Sequence, residues 1–173
     1  MIPCPACGNH NVQGADHCAE CHSNLVELGL PERAFGELGR RLISDSVMEL
    51  KPDKGLRVLP ENTVSQVVQA MHDQATSAAM VVHQGQLVGL FTERDFLMKI
   101  AHRYEELSGD PIRKYMTSGV ESLAPDSSIA FSLNRMACKH CRHIAILQDG
   151  SPVAMAGTYD VLRYITRFFP ATD

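Results

Sequence analysis

Four cysteines near the start of the chain, Cys4, Cys7, Cys18 and Cys21, form two Cys-x-x-Cys pairs with ten residues between them. Each pair sets two thiolates on one tight turn, close enough to share a metal ion. Two such turns complete a tetrahedral tetrathiolate set, which suits zinc at roughly 2.3 Å per Zn–S bond. Four ligands fill the coordination sphere, so the expected site is closed and structural, with no water position for catalysis. Few apolar side chains accompany these cysteines, so the metal is expected to supply the folding energy of this piece. His10, His17 and His22 are alternative donors by residue type, but exposed loop histidines are the simpler account of them. The first residues show no basic, apolar and small-residue succession of an export signal, which favours metal ligation over disulfides and a cytoplasmic location.

A second constellation is Gly89-Leu90-Phe91-Thr92-Glu93-Arg94-Asp95, where an apolar run meets abrupt charge. Thr92 followed three residues later by Asp95 fits a helix capping box, and an acid in the first turn suits the helix dipole. The same pair could hold a ligand. A carboxylate takes two hydroxyls at once, and a helix N-terminus offers N–H groups to a phosphate. A third Cys-x-x-Cys, Cys138 to Cys141, has no complementary pair left over and reads as two partly buried thiols, since a cytosolic redox poise disfavours a disulfide.

Composition narrows the classes. The 173 residues are 45% hydrophobic and 21% charged, with 16 Lys and Arg against 20 Asp and Glu, a net charge of −4. This balance argues against general affinity for nucleic acid or anionic membrane. From Met1 to Leu28 there is no Lys or Arg, while Asp16, Glu20 and Glu27 are acidic. A tetrathiolate metal adds further negative charge, so this piece would repel a phosphate backbone and is expected to contact protein. No apolar run approaches the ~18 residues of a membrane-spanning helix. No nucleophile with a placed base, Gly-rich phosphate loop or open metal site is found, so no enzyme is expected.

Residues 29 to 43 read as a joining helix, with Pro31 in its first turn and Phe35, Leu38 and Leu42 at helical spacing. The remainder contains one unit twice. An offset of 65 carries Val64 onto Ile129, Met71 onto Met136, Gly85 onto Gly150, Asp95 onto Asp160 and Ile100 onto Ile165. Sustained register of this kind marks an internal duplication. Val64, Val67, Val68 and Met71 give one apolar helix face, Ala79 to Val82 a buried strand, and Gln84-Gly85 a turn into a strand over Leu87 to Phe91. Phe96, Leu97, Ile100 and Ala101 then mark another helix face, and the second copy repeats the series through Val161, Leu162 and Ile165. The order is strand, helix, strand, strand, helix: an α/β (α+β) chain.

Residues 3 to 25 resemble short zinc ribbons of the CPxCG…CxxC kind. Residues 44 to 169 resemble paired CBS domains, named after the cystathionine β-synthase tail, through VMEL, LPENTVSQVVQAM, GQLVGLFTERDFL, YMTSGV, APDSSIAFSLNRM, RHIAIL and TYDVL. The resemblance implies a ribbon over 1–28, a linker helix over 29–43, a first CBS domain over 44–107 and a second over 108–169. It implies that the motif ending in Asp95 lines a cleft between the copies, with Asp95 on the ribose hydroxyls of an adenosyl ligand and Thr92 on ribose or phosphate. Such ligands are AMP, ADP, ATP or S-adenosylmethionine. By the same resemblance Arg94, Arg142 and His143 pair with phosphate, and the Ala78 backbone approaches adenine. The second motif, Ala154 to Asp160, keeps Asp160 but has Gly157 in place of Ser or Thr, so unequal sites are expected, with the Asp95 site the tighter or the only one occupied. A homodimer is implied, and a regulatory role in which the ribbon meets an unidentified protein. The competing expectation is a zinc-ribbon adaptor or transcription-associated protein with vestigial, empty CBS clefts.

Overall fold

In the computed structural model the described residues are 1–4, 6–12, 15–25 and 36–169. Gly14, Pro31 and Phe35 lie outside them. The elements run β1 (Ile2–Pro3), β2 (His10–Asn11), α1 (Gly36–Ser44), a 3-10 turn over Val47–Leu50, β3 (Leu56–Val58), α2 (Val64–Asp73), β4 (Ala78–His83), β5 (Gln86–Thr92), α3 (Glu93–Lys99), α4 (Tyr104–Leu107), β6 (Ser122–Leu123), α5 (Ile129–Cys138), β7 (His143–Gln148), β8 (Ser151–Gly157) and α6 (Thr158–Ile165). The duplication read from the sequence is visible here: α2 and α5, β4 and β7, β5 and β8, and α3 and α6 each begin 65 residues apart. The mixed α/β class and the order of elements in each copy are as expected. The joining helix forms over Gly36–Ser44.

Local chemistry explains the elements. Thr63 caps α2 by accepting from Gln66 N, the Gln66 side chain returns to Thr63 N, and Val64, Val67 and Met71 are buried on one face. Ser128 caps α5 through Phe131 N at 3.1 Å. The two hairpins turn on Gln84 and Gly85, at φ 50° and 80°, and on Asp149 and Gly150, at φ 51° and 79°. Positive φ at both central residues is the turn that matches strand twist. The sheets are β1-β2, β3-β4-β5 and β6-β7-β8. β3 runs parallel to β4 through the α2 crossover, and β4 pairs antiparallel with β5.

The chain forms two compact units. One comprises Asp53–Ser122 and Ala145–Met155. Its first sheet buries Leu56, Val58, Ala79, Val81 and Phe91 against Val64, Val67, Met71, Ile100 and Ile112. On the other face Ala78, Met80 and Leu90 meet Ala145 and Met155. The second unit comprises Met1–Pro52, Leu123–Ile144 and Ala156–Asp173. There the backbone of Val47 donates to Ser127 O at 2.7 Å and Ile129 N to Asp45 O at 3.0 Å. Tyr164 OH donates to the Asp45 carboxylate at 2.6 Å. No helix among the described residues is long and apolar enough to cross a membrane.

The apolar faces of α3 and α6 are only half used. Phe96 and Ile100 pack against the core, and Val161 is buried, but Leu97 and Leu162 are 64% and 60% exposed.

One glycine fixes how closely the chain can return to β5. A Cβ on Gly89 would stand 2.6 Å from Met116 Sδ and 3.0 Å from the Thr117 carbonyl, whose backbone bridges Leu90 in both directions. Met116 can swing away; the bridging carbonyl cannot. Gly89→Ala is therefore expected to destabilise by about 1–3 kcal/mol in urea unfolding. An unchanged midpoint would show that this crossing is looser than the distances imply.

Candidate functional site

The cysteines come together as their spacing predicts. The Sγ atoms of Cys4, Cys7, Cys18 and Cys21 all lie within 4.8 Å of one another. Cys4 to Cys21 and Cys7 to Cys18 are each 3.6 Å. Bonded sulfurs would stand at about 2.05 Å. Sulfurs around a tetrahedral ion at 2.3 Å stand ~3.8 Å apart. The set fits a metal ion, which would close the ribbon by drawing four thiolates to one centre. Each cysteine pair occupies the same kind of turn. Cys4 N donates to Asn9 O and Gly8 N to Cys4 O, both at 2.8 Å; fourteen residues on, Cys18 N donates to Ser23 O at 2.8 Å and His22 N to Cys18 O at 3.0 Å. Gly8 and His22 share positive φ, 75° and 58°, so His22 holds a conformation that glycine adopts without strain. His10, His17 and His22 are exposed and outside the set.

Buried Asn11, which carries no sequence signature, ties the two turns. Its Oδ1 accepts from Ala19 N at 2.9 Å, and its Nδ2 donates to Asn9 O at 2.9 Å and to Cys18 Sγ at 3.5 Å. Burial raises the Cys18 thiol, but the backbone amides of Cys21 and Glu20 and the Asn11 amide outweigh it, holding the group at about 6. Burial pushes Cys4 and Cys7 up. Phe131 of α5 packs against this cysteine cluster.

The first motif carboxylate sits in one corner with Ala78 and Thr92, which pair across β4 and β5. Asp95 is buried and completes a capping box. Its Oδ2 accepts from Thr92 N at 3.0 Å and Thr92 Oγ1 at 2.7 Å, while Asp95 N donates to Thr92 Oγ1 at 3.2 Å. Its Oδ1 accepts from Lys99 Nζ at 2.7 Å and from Thr117 Oγ1 at 3.2 Å. Lys99 also donates to Tyr115 O at 2.7 Å. Neither Lys99 nor Thr117 is marked in the sequence as a partner of the motif. Arg94 is exposed. Ala78 is fully buried.

The second motif carboxylate sits with Gly157, Arg142 and His143. Asp160 Oδ2 accepts from Gly157 N at 2.8 Å and Oδ1 from Arg163 at 2.7 Å. Arg163 also donates to Leu50 O at 3.0 Å and Lys51 O at 3.2 Å. Leu50 and Tyr115 lie 65 residues apart. Both copies therefore tie the motif carboxylate, through a cation, to the carbonyl of the same repeat position. Arg142 is exposed and its carbonyl accepts from Thr158 N at 3.1 Å, just as Ser77 O accepts from Glu93 N at 3.0 Å. A Cβ on Gly157 would stand 3.4 Å from His143 Cδ2 and 3.7 Å from Asp160 Oδ2. Cys138 is exposed and Cys141 half-buried; neither forms a disulfide.

Burial raises the Asp95 carboxyl, but the Lys99 and Thr92 hydrogen bonds outweigh it and hold the group below its ordinary value. A depressed folded value makes the contribution complete above the unfolded carboxylate range near ~3.9 and draws it down as pH falls through the lower folded value. Urea titrations on the acid side of about pH 5 should show wild type losing stability more steeply than Asp95→Asn. Parallel pH profiles would contradict the Lys99 contact.

With this geometry in view, the likeness to known proteins is specific. Residues 47–102 match the CBS domain family. An Arabidopsis thaliana CBS domain-containing protein, CBSCBSPB5, is 30% identical over 128 residues, covering 72% of this chain and 23% of that protein. The chain thus spans about a quarter of that relative's length. Among solved structures, a putative signal-transduction protein with CBS domains from Burkholderia ambifaria superposes with a TM-score of 0.67 at 19% identity, over 73% of this chain and 98% of that one. A CBS domain pair crystallised with 5′-methylthioadenosine and S-adenosyl-L-methionine gives 0.63 at 15% identity, over 71% and 97%. Repeat, element order, family match and structural likeness agree: the chain is a CBS-domain protein.

Proposed function

We propose that this chain is a non-enzymatic regulatory module that binds an adenosyl ligand, AMP, ADP, ATP or S-adenosylmethionine, through its motif carboxylates. The observation that carries the reading is the matched pair, Asp95 and Asp160, each held by a backbone N–H at the start of a helix. A carboxylate fixed in this way accepts a sugar diol without first losing conformational freedom. Thr92, Arg94 and the Ala78 backbone would serve the ligand beside Asp95; Arg142 and His143 would serve it beside Asp160. The related pair that holds two adenosyl compounds supports the ligand class.

Zinc is the metal proposed for Cys4, Cys7, Cys18 and Cys21, because four closely placed cysteine sulfurs match its soft-donor preference and leave no open position. The ribbon would then act as a rigid protein-contact surface. Leu97 and Met98 on α3 and Tyr159 and Leu162 on α6 are exposed apolar side chains, and a second copy of the chain is proposed to cover them. One observation favours the adaptor reading instead: every acceptor position of the Asp95 carboxylate already has a protein donor.

Thermal unfolding with AMP, ADP, ATP and S-adenosylmethionine separates the two readings. A ligand at 100 Kd is expected to stabilise by about 2.7 kcal/mol, whereas empty sites give no shift with any of the four. Native mass spectrometry is expected to read a dimer with one zinc per chain. A monomer, or a folded chain without metal, contradicts that part of the proposal.

A further inference from the structure

Resting on the reading of the ribbon as a protein-contact surface, we infer that a groove at its edge receives a lysine or arginine side chain from a partner protein. The groove lies within one unit, between the first cysteine turn, the end of α1 and the start of α5, and has a volume of about 590 Å³. Pockets that hold small groups run from ~300 to 1,000 Å³. Cys4 and Cys7 line it from the ribbon, Ile43 from α1 and Phe131 from α5. Asp126 and Ser127 line it from the chain just before α5.

The charge lining this groove has one sign. No Lys or Arg occurs from Met1 to Leu28, and four thiolates around a divalent ion would carry a net charge of about −2. Asp126 is exposed, and among the described residues no cation pairs with it and no group bonds the Ser127 hydroxyl. A cationic head would find a carboxylate and a hydroxyl to accept its N–H groups, while its aliphatic stem lies on Ile43 and Phe131. Phe131 already takes a guanidinium of this chain: Arg135 Cζ stands 5.1 Å from the ring centroid. An anion is disfavoured. The α5 amides that could hold one are engaged, Ile129 N with Asp45 O at 3.0 Å and Phe131 N with Ser128 Oγ at 3.1 Å. A wholly apolar side chain would suit Ile43 and Phe131 but would strip water from Asp126 and Ser127 and give nothing back.

Amide and methyl NMR of the full zinc-loaded chain tests the assignment, with capped Gly-Arg-Gly, Gly-Leu-Gly and Gly-Glu-Gly peptides and free spermidine as probes. The arginine peptide is expected to shift the Gly8 and Ser127 amides and the Ile43 methyls. It should bind on the order of tenfold more tightly than the leucine and glutamate peptides. Asp126→Lys reverses the charge at an exposed position. Its unfolding midpoint should stay where it is, while the arginine peptide binds on the order of tenfold less tightly. Equal binding of the leucine peptide or of free spermidine, or unchanged arginine binding in Asp126→Lys, overturns the inference and leaves the ribbon as a protein-contact surface. Groove signals that no peptide moves overturn it as well. If the ribbon amides of Asp16, Ala19 and Asn24 are then silent too, the protein-contact reading falls with it.

Discussion

A backbone amide gripping a carboxylate three residues ahead is the contact on which the rest turns. Thr92 N reaches Asp95 Oδ2, and Gly157 N reaches Asp160 Oδ2. The grip starts a helix by satisfying an amide that has no helical partner. It also fixes one carboxylate oxygen and so leaves the other to choose its neighbours. In both copies that neighbour is a cation from the same helix, and in both the cation continues to the carbonyl of one repeat position, Tyr115 or Leu50. The duplicated chain thus repeats a three-part lock of amide, carboxylate and cation. What differs is the hydroxyl content around it: Thr92 and Thr117 reach the first carboxylate, and Gly157 stands at the position of Thr92 in the second copy.

The cysteine cluster follows a similar economy. Two turns of the same design, fourteen residues apart, each present two cysteines, and Asn11 fastens one to the other. Among the described residues the ribbon's buried apolar mass beyond the cysteines is Ala6 and Leu25, so an ion held by the four sulfurs would add to the packing on Phe131 in ordering it. Ser128, which caps the helix bearing Phe131, also points its hydroxyl at Ala6 O from 3.4 Å. Within that unit the cysteine cluster and the second-copy helix share a boundary, so an ion held by the four sulfurs would also steady a surface that α5 rests on.

Much of this was legible beforehand because it is written in local periodicity. The Thr92–Asp95 cap, the Gln84-Gly85 and Asp149-Gly150 turns, and the Val64, Val67, Met71 face each act within a few residues, and each appears where its spacing put it. The tetrathiolate was legible for the same reason. Lys99 and Thr117 were not, although one lies four residues from Asp95 and the other twenty-two. Whether a lysine turns inward depends on a carbonyl brought up by a distant segment, and no sequence period carries that. Arg163 was hidden likewise. Leu97 and Leu162 taught the opposite lesson: they share the helical spacing of core residues yet face outward, because a short helix lying on one sheet has room to bury only part of an apolar face.

The central claim is that the motif carboxylates, Asp95 and Asp160, meet a ligand's sugar. Side-chain carboxyl ¹³C resonances of the two aspartates, followed during addition of 5′-AMP, read this directly. The account predicts that the signal of at least one motif aspartate moves as the ligand is added. Silence from both contradicts it.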